Sequence, residues 1–203
     1  LFSTVARTMV IPALCSFGLL GNVLNMFILL KRVREGVDYM EKGAMIGMIA
    51  LALADFLFCF VTIMNTYLAK DAMIFKAADM SLFFTMYGNF AVNVLIKTGT
   101  WCTVIMALGR YFAVCHPLKA RQHMRPSHTL IAIMISFLLW IFIHLPLLWT
   151  FSSFPMDCGW KGNVIFLNFG VFMDNIRLRT TFTYLWAVLG FFIPVAVLAY
   201  CNT

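Results

Sequence analysis

Residues 97–118 read KTGTWCTVIMALGRYFAVCHPL, an apolar helical pattern that continues up to Arg110 and Tyr111. Pro117 follows shortly afterwards and cannot continue a helix, and a basic segment begins directly after Leu118. A helix needs about 20 predominantly apolar residues to cross a bilayer, and the apolar pattern before Arg110 is long enough to do so. The segment therefore predicts a membrane helix that ends in a polar, basic connection.

The composition identifies an integral membrane protein. Of the 203 residues, 63% are hydrophobic and 11% are charged, and the mean hydropathy is +0.91, whereas soluble domains carry about 25% charged residues. The net charge is +7, but the basic residues form short clusters between apolar runs, as topology charges do, so nucleic acid is not an expected partner. Neither a zinc spacing nor a Gly-x-Ser-x-Gly motif is present. We therefore expect no enzyme activity and no cofactor.

Hydropathy predicts an all-α, polytopic transmembrane bundle in one domain covering residues 1–203. Its five helices are expected at about 9–30, 43–67, 81–115, 129–149 and 180–202. The connections after the first and third helices hold seven basic residues in about 26, against five in about 42 after the second and fourth. The denser pair is expected to face the cytoplasm, which places the N-terminus outside. In the long connection 150–179, turn residues followed by β-branched and aromatic residues permit a hairpin lid.

Several polar side chains fall inside these apolar helices. Asp55 lies about 12 residues, or roughly 18 Å, into the second helix, and a carboxyl at that depth is a functional candidate. Asn22 and Asn25 in the first helix need partners from neighbouring helices, so their face is expected to turn toward protein. His144 in the fourth helix is expected to bond a neighbouring backbone carbonyl.

One motif in each helix, at characteristic separations, resembles the rhodopsin-like G-protein-coupled receptors. The motifs centre on Asn22, Asp55 in Leu-Ala-Leu-Ala-Asp, Arg110-Tyr111, Trp140 and Pro194. Because that family has seven helices, the resemblance implies that the C-terminal two are missing from this chain. It also implies a plasma-membrane receptor surrounded by lipid, with an extracellular ligand and a heterotrimeric G protein as partners. The run Cys115–Arg121, with Tyr200-Cys201-Asn202, is most similar to invertebrate neuropeptide receptors of the FMRFamide type.

The resemblance also implies where the functional residues lie. G-protein coupling is expected at Arg110, Tyr111, Pro117 and Leu118. Ligand contacts are expected at Val92, Asn93, Ile96 and Lys97. Asp55 and Asn22 are expected to form a switch, and the family's second-helix acid binds a sodium ion together with a third-helix hydroxyl and side chains of the seventh helix. Gly99 stands at the hydroxyl position, so this sodium site lacks one of its ligands.

Three further positions depart from the family pattern. Gly109 replaces the acid that holds the arginine in the resting state, which predicts ligand-free signalling. Thr85 replaces a cysteine that is normally disulfide-bonded to the second extracellular loop, which leaves Cys158 either free or paired with a segment beyond this chain. Val92 replaces the aspartate of amine receptors, so an amine ligand is not expected and a peptide is favoured.

Lys97 lies about 20 Å into the bilayer, thirteen residues before Arg110. Asp55 is at a similar depth, but it is expected to face Gly99, and Lys97 is about 200° of helix rotation from Gly99. Direct pairing of Lys97 with Asp55 is therefore not expected. Two alternatives remain open for the lysine: backbone carbonyls, or an anionic group that the ligand brings.

Three other functions are compatible with parts of the sequence. A chemosensory receptor for small molecules would have the same fold with a smaller pocket. A non-signalling binding protein would explain Gly109, Gly99 and Thr85 together. An ion-coupled transporter could use Asp55, Lys97 and His144 as a relay, but it would require repeat symmetry between halves, which the sequence does not show.

Overall fold

The computed structural model describes residues 5–36, 39–69, 74–76, 79–117, 125–157 and 163–202. Within them lie five helices long and apolar enough to cross a membrane: Thr8–Arg34, Glu41–Leu68, Met80–Cys115, Pro126–Trp149 and Ile176–Asn202. The predicted transmembrane bundle of five helices is therefore confirmed.

The first two spans consist largely of α1 (Ile11–Arg34), preceded by a π-helical turn at Ala6–Val10, and α2 (Tyr39–Leu68). α1 continues beyond the predicted end at residue 30 because its last turn carries basic side chains, which favour the C-terminal end of a helix dipole. Gly36, with φ of 92°, then adopts the left-handed conformation that commonly ends a helix.

The third span is α3 (Met80–Cys115), whose bounds agree closely with the predicted 81–115. At its start the Asp79 carboxylate accepts a hydrogen bond of 3.0 Å from the backbone N–H of Ser81, which caps the helix. Its last turn closes with the bond from the N–H of His116 to the carbonyl of Phe112, because Pro117 cannot extend the helix.

The fourth and fifth spans change helix type near prolines. α4 (Pro126–His144) begins at a proline, which the first helical position tolerates. It continues as a 3₁₀ turn, Leu145–Trp149. The fifth span joins α5 (Ile176–Ala187), a π-helical turn at Val188–Phe192 and α6 (Ile193–Asn202). The π-helical turn ends two residues before Pro194, which has no backbone N–H to donate.

Three strands form an antiparallel sheet at one end of the bundle, in the order β1–β3–β2. β1 (Ile74–Lys76) lies between α2 and α3 in the chain, and β2 (Phe151–Asp157) pairs with β3 (Asn163–Phe169) between α4 and α5. The predicted hairpin in the fourth-to-fifth connection is thus confirmed, while β1 was not predicted. The opposite end of the bundle, where α1 and α3 end, is called the Arg110 end below.

α3 lies at the centre of the helix packing. It packs against α2 and α4 and also contacts α6 in the fifth span. Cys102 and Val104 of α3 and Trp140 of α4 are almost completely buried in this core. Functional groups on α3 can therefore reach three different helices.

Candidate functional site

One face of α3 carries polar side chains that the other described helices leave partly or fully uncovered. Asn89, Thr103 and Arg110 are exposed, and Asn93 and Thr100 are half-buried. Residues three and four apart lie above one another on a helix, so these five form a continuous row from the sheet end to the Arg110 end. We call this row the polar face of α3.

The hydrogen bonds on the polar face are made within α3 itself. The Asn93 amide donates to the Asn89 side-chain oxygen at 2.9 Å and to the Asn89 carbonyl at 2.8 Å. The hydroxyls of Thr100 and Thr103 donate to backbone carbonyls one turn earlier. Polar side chains at membrane depth turn toward protein or water rather than lipid. The polar face is therefore expected to contact either protein or water. The five described spans do not cover it.

Two of the expected ligand-contact residues are apolar neighbours of this row. Ile96 is 44% exposed and Val92 is half-buried. With Asn93 they lie in the half of α3 nearer the sheet. The fourth expected contact, Lys97, is turned away from this group and lies inside the bundle.

Lys97 connects α3 to the fifth span. Its side chain is only 6% exposed, and its ammonium donates a 3.0 Å hydrogen bond to the carbonyl oxygen of Gly190. The same ammonium lies 3.7 Å from the centre of a Trp186 ring, a cation–π distance. A backbone carbonyl is one of the two partners that the sequence leaves open for this lysine.

Pro194 explains why the Gly190 carbonyl is available to Lys97. In an α-helix the N–H four residues later would bond this carbonyl, and here that residue is a proline without an N–H. Leu189 also receives an external donor, since the indole N–H of Trp101 lies 3.1 Å from its carbonyl oxygen. Two side chains of α3 thus donate hydrogen bonds to carbonyl groups of the π-helical turn. Lipid could not supply these hydrogen bonds.

The absence of a side chain at Gly190 makes room for the lysine. A Cβ at this position would lie 2.9 Å from Cε of Lys97, 3.0 Å from Nζ and 3.1 Å from Cδ. Sequence reasoning did not identify Trp186, Leu189 or Gly190 as partners of α3. The signal available in the sequence was Pro194, which marks a free carbonyl four residues earlier.

Asp55 lies on the other side of α3, next to Gly99. A Cβ on Gly99 would be 3.1 Å from the Asp55 carboxylate oxygen Oδ1. The ion pairs among the described residues join Lys31 to Glu35 and Arg32 to Glu41, so neither Asp55 nor Lys97 has an ionic partner there. Because the two face different neighbouring helices, they are not brought together as a transporter relay would require.

The sodium site at Asp55 would also need side chains of the family's seventh helix, so it stays a prediction. Gly99 contributes no hydroxyl to it, and its backbone carbonyl already accepts a hydrogen bond of 3.1 Å from the Thr103 hydroxyl. Asn22, its expected partner in a switch, donates instead to the Gly18 carbonyl of its own helix at 2.9 Å. Asn25 is exposed. Within the described residues Asn22 thus bonds its own helix, and partners for the two amides from helices outside this chain stay a prediction.

At its other end, the polar face terminates at Arg110. This residue is exposed, and within the described chain no carboxylate forms an ion pair with it. The hydroxyl of Tyr111 lies 3.1 Å from that of Tyr200, which joins α3 to the end of α6. Pro117 is exposed, whereas Leu118 and Cys158 lie outside the described residues.

His144 is completely buried in α4 and bonds a backbone carbonyl of its own helix. Its Nδ1 lies 2.9 Å from the carbonyl oxygen of Trp140, and its ring packs edge-on against Phe182 of α5. Its Nε2 has no hydrogen-bond partner among the described residues. These contacts give His144 a packing role between the fourth and fifth spans.

Comparisons with known proteins place these features in one family. A family model described as 7 transmembrane receptor (rhodopsin family) matches residues 21–203. A probable G-protein coupled receptor of Caenorhabditis elegans is 27% identical over 213 residues, covering 98% of this chain and 45% of the relative. Somatostatin receptor type 5 of Mus musculus is 26% identical, covering 97% and 51%. Somatostatin receptor type 2 of Sus scrofa is 24% identical, covering 99% and 51%. The chain thus spans about half the length of these relatives.

Proposed function

Since this chain belongs to the rhodopsin family of seven-transmembrane receptors, we propose that it forms five helices of a receptor that transmits ligand binding to a heterotrimeric G protein. The proposal places the receptor in the plasma membrane, with the ligand outside the cell. A receptor of seven helices has two more than the five described here, and this chain spans about half the length of the relatives.

The polar face of α3 is the observation that carries this proposal. It runs from Asn89 and Asn93 to Arg110 on a side that the five spans leave uncovered. Two further helices would cover it, so that amides and hydroxyls would face protein or water rather than hydrocarbon. A ligand bound near Val92, Asn93 and Ile96 would then lie on the same face as the arginine, about half the length of α3 away from it.

The direction of signalling follows from the basic residues. Lys31, Arg32, Arg34 and Arg125 lie at the Arg110 end, and loops rich in lysine and arginine remain on the cytoplasmic side. The proposed cytoplasmic surface therefore includes Arg110, and the sheet and N-terminus lie outside the cell. Arg110, Tyr111, Pro117 and Leu118 are then the residues that contact the G protein.

A peptide is the favoured class of ligand. Two of the similar proteins are named somatostatin receptors, and somatostatin is a peptide. A broad antiparallel sheet stands at the proposed extracellular end, and Val92 offers no carboxylate to an amine. A sheet of this kind presents backbone groups and apolar side chains such as Phe154 and Phe169, both largely exposed, which suits an extended peptide.

The test is a ligand screen on the full-length receptor in cells that express a set of G-protein α-subunits. Neuropeptides and small odorants are applied in parallel, and activation is read from G-protein dissociation. We expect responses to one or more peptides, and their loss in Arg110→Ala at equal surface expression. Responses to odorants alone would support the chemosensory alternative. Ligand binding without any G-protein response would support a non-signalling binding protein.

A further inference from the structure

A cavity of about 530 Å³ lies between α2, α3 and α4 at the Arg110 end. Its volume falls in the range of about 300–1,000 Å³ that small-molecule sites occupy. It shares only Arg110 with the polar face and lies apart from the proposed ligand contacts in the half of α3 nearer the sheet. Its lining includes Gly109 and Arg110, so an occupant would be adjacent to the position where the family's acid is missing.

The lining is apolar at depth and charged at the mouth. Met48, Ile105 and Met106 form the inner part, while Glu41, Arg110 and His128 lie near the helix ends. Met48 is seven residues from Glu41 in α2, or about 10 Å along the helix. The cavity therefore extends from the membrane edge into the hydrocarbon region, as an amphiphile with its headgroup at the edge would require.

The charges at the mouth favour an anion. The Glu41 carboxylate is already engaged with Arg32 at 2.8 Å. Arg110 lines the same cavity, and the described residues supply no carboxylate to it. Gly109, which adjoins it, has no side chain. A guanidinium binds a carboxylate with two parallel hydrogen bonds, so a carboxylate headgroup matches the unpaired charge.

We infer that this cavity binds a long-chain carboxylate whose headgroup pairs with Arg110 in place of the acid that Gly109 lacks. The apolar chain lies along Met48, Ile105 and Met106. A second consequence rests on the proposed function: by holding Arg110 as the family's acid does, the occupant lowers ligand-free signalling. A long-chain carboxylate would then act as an inhibitor from the cytoplasmic leaflet.

The binding test uses the full-length protein in phosphatidylcholine nanodiscs and a palmitic acid analogue with a photoreactive diazirine in its chain. The methyl ester of the same probe is the neutral control. We expect the acid to label wild-type protein at least tenfold more efficiently than the ester, with crosslinks near Met48 and Ile105. Equal labelling by acid and ester would overturn the inference, because ordinary acyl chains could then occupy the cavity.

Three variants test which residues make the cavity prefer the acid to the ester. Arg110→Gln should remove the preference for the acid. Ala44→Phe fills the cavity from an exposed position in α2 and should lower labelling by both probes. Ala199→Phe, a matched change on the exposed surface of α6, should label like wild type. A preference for the acid that persists in Arg110→Gln would also overturn the inference.

A nucleotide-exchange assay separates this inference from the proposed function. Palmitate added to membranes with purified G protein should lower ligand-free nucleotide exchange at least threefold in wild type and have no such effect in Gly109→Asp. Selective labelling without any exchange activity would contradict the proposed function and leave the site in place. Exchange activity without selective labelling would contradict the site alone.

Discussion

Gly190→Ala tests whether the contact between Lys97 and the fifth span stabilises the bundle. A Cβ at position 190 would lie about 3 Å from three atoms of the lysine side chain, so the ammonium must move away from the Gly190 carbonyl. The hydrogen bond of 3.0 Å and the close approach to Trp186 would both be weakened. The usual α-helical donor to this carbonyl is also missing, because Pro194 has no N–H.

The expected cost follows from these contacts. A hydrogen bond from a charged donor contributes about 1.5–3 kcal/mol, and we take the combined loss with the cation–π contact as about 2–3 kcal/mol. The change from glycine to alanine within a helix itself contributes about 1 kcal/mol of stability. Gly190→Ala should therefore destabilise the protein by about 1–2 kcal/mol. In a Lys97→Ala background the loss is absent, and the same change should be neutral or stabilising.

The measurement is the free energy of unfolding of the full-length protein in mixed detergent–dodecyl sulfate micelles. Reaction of a fluorogenic thiol dye with Cys102, which is fully buried in the native protein, reports unfolding in a background whose other cysteines, among them the exposed Cys115, are replaced by serine. Wild type, the two single variants and the double variant form a cycle, whose coupling energy should be about 2–3 kcal/mol. Gly21→Ala is the matched control, because a Cβ there meets no atom within 4 Å. The reasoning is refuted if Gly190→Ala has the same effect with and without the lysine.

Three further changes address signalling and the ligand. Gly109→Asp should reduce ligand-free signalling at least fivefold at equal surface expression, since a coupling of about 1 kcal/mol changes an equilibrium by that factor; equal basal signals would contradict this. Leu118→Asp should weaken ligand-stimulated nucleotide exchange while ligand affinity stays nearly constant, and intact coupling would refute its role at the G protein. Lys97→Met should change the affinities of an acidic ligand and its neutralised analogue equally, because the ammonium already bonds the Gly190 carbonyl. A selective tenfold loss for the acidic ligand, about 1.4 kcal/mol, would instead identify a counter-ion.

The helices could be predicted because the signals that define them are local. The start and end of α3 depend on Asp79 and Pro117, which act within one turn of the helix ends. The start of the fifth span was predicted at residue 180, but the Asn175 side chain caps the helix by accepting from the N–H of Leu178 at 3.1 Å. Arg177 and Arg179 therefore belong to the helix, although their charge excluded them from the apolar pattern.

Contacts between residues that are far apart in the chain could not be predicted from such local signals. β1 is three residues long, and its strand conformation depends on pairing with β3, far away in the chain. Pro194 indicated a free carbonyl in the fifth span, but only helix packing shows that Lys97 reaches Gly190 and Trp101 reaches Leu189. For the same reason the sequence could not distinguish an amide that bonds its own helix, as Asn22 does, from one that bonds a neighbour.

Nucleotide exchange on a purified heterotrimeric G protein tests the central claim most directly. Full-length receptor in nanodiscs should accelerate uptake of a non-hydrolysable GTP analogue in the absence of ligand, because Gly109 leaves Arg110 without a carboxylate. Arg110→Ala should abolish this acceleration. The matched variant Arg34→Ala, which removes an exposed positive charge at the same end of the bundle, should retain it. Equal exchange rates with wild type, with Arg110→Ala and without any receptor would contradict the account.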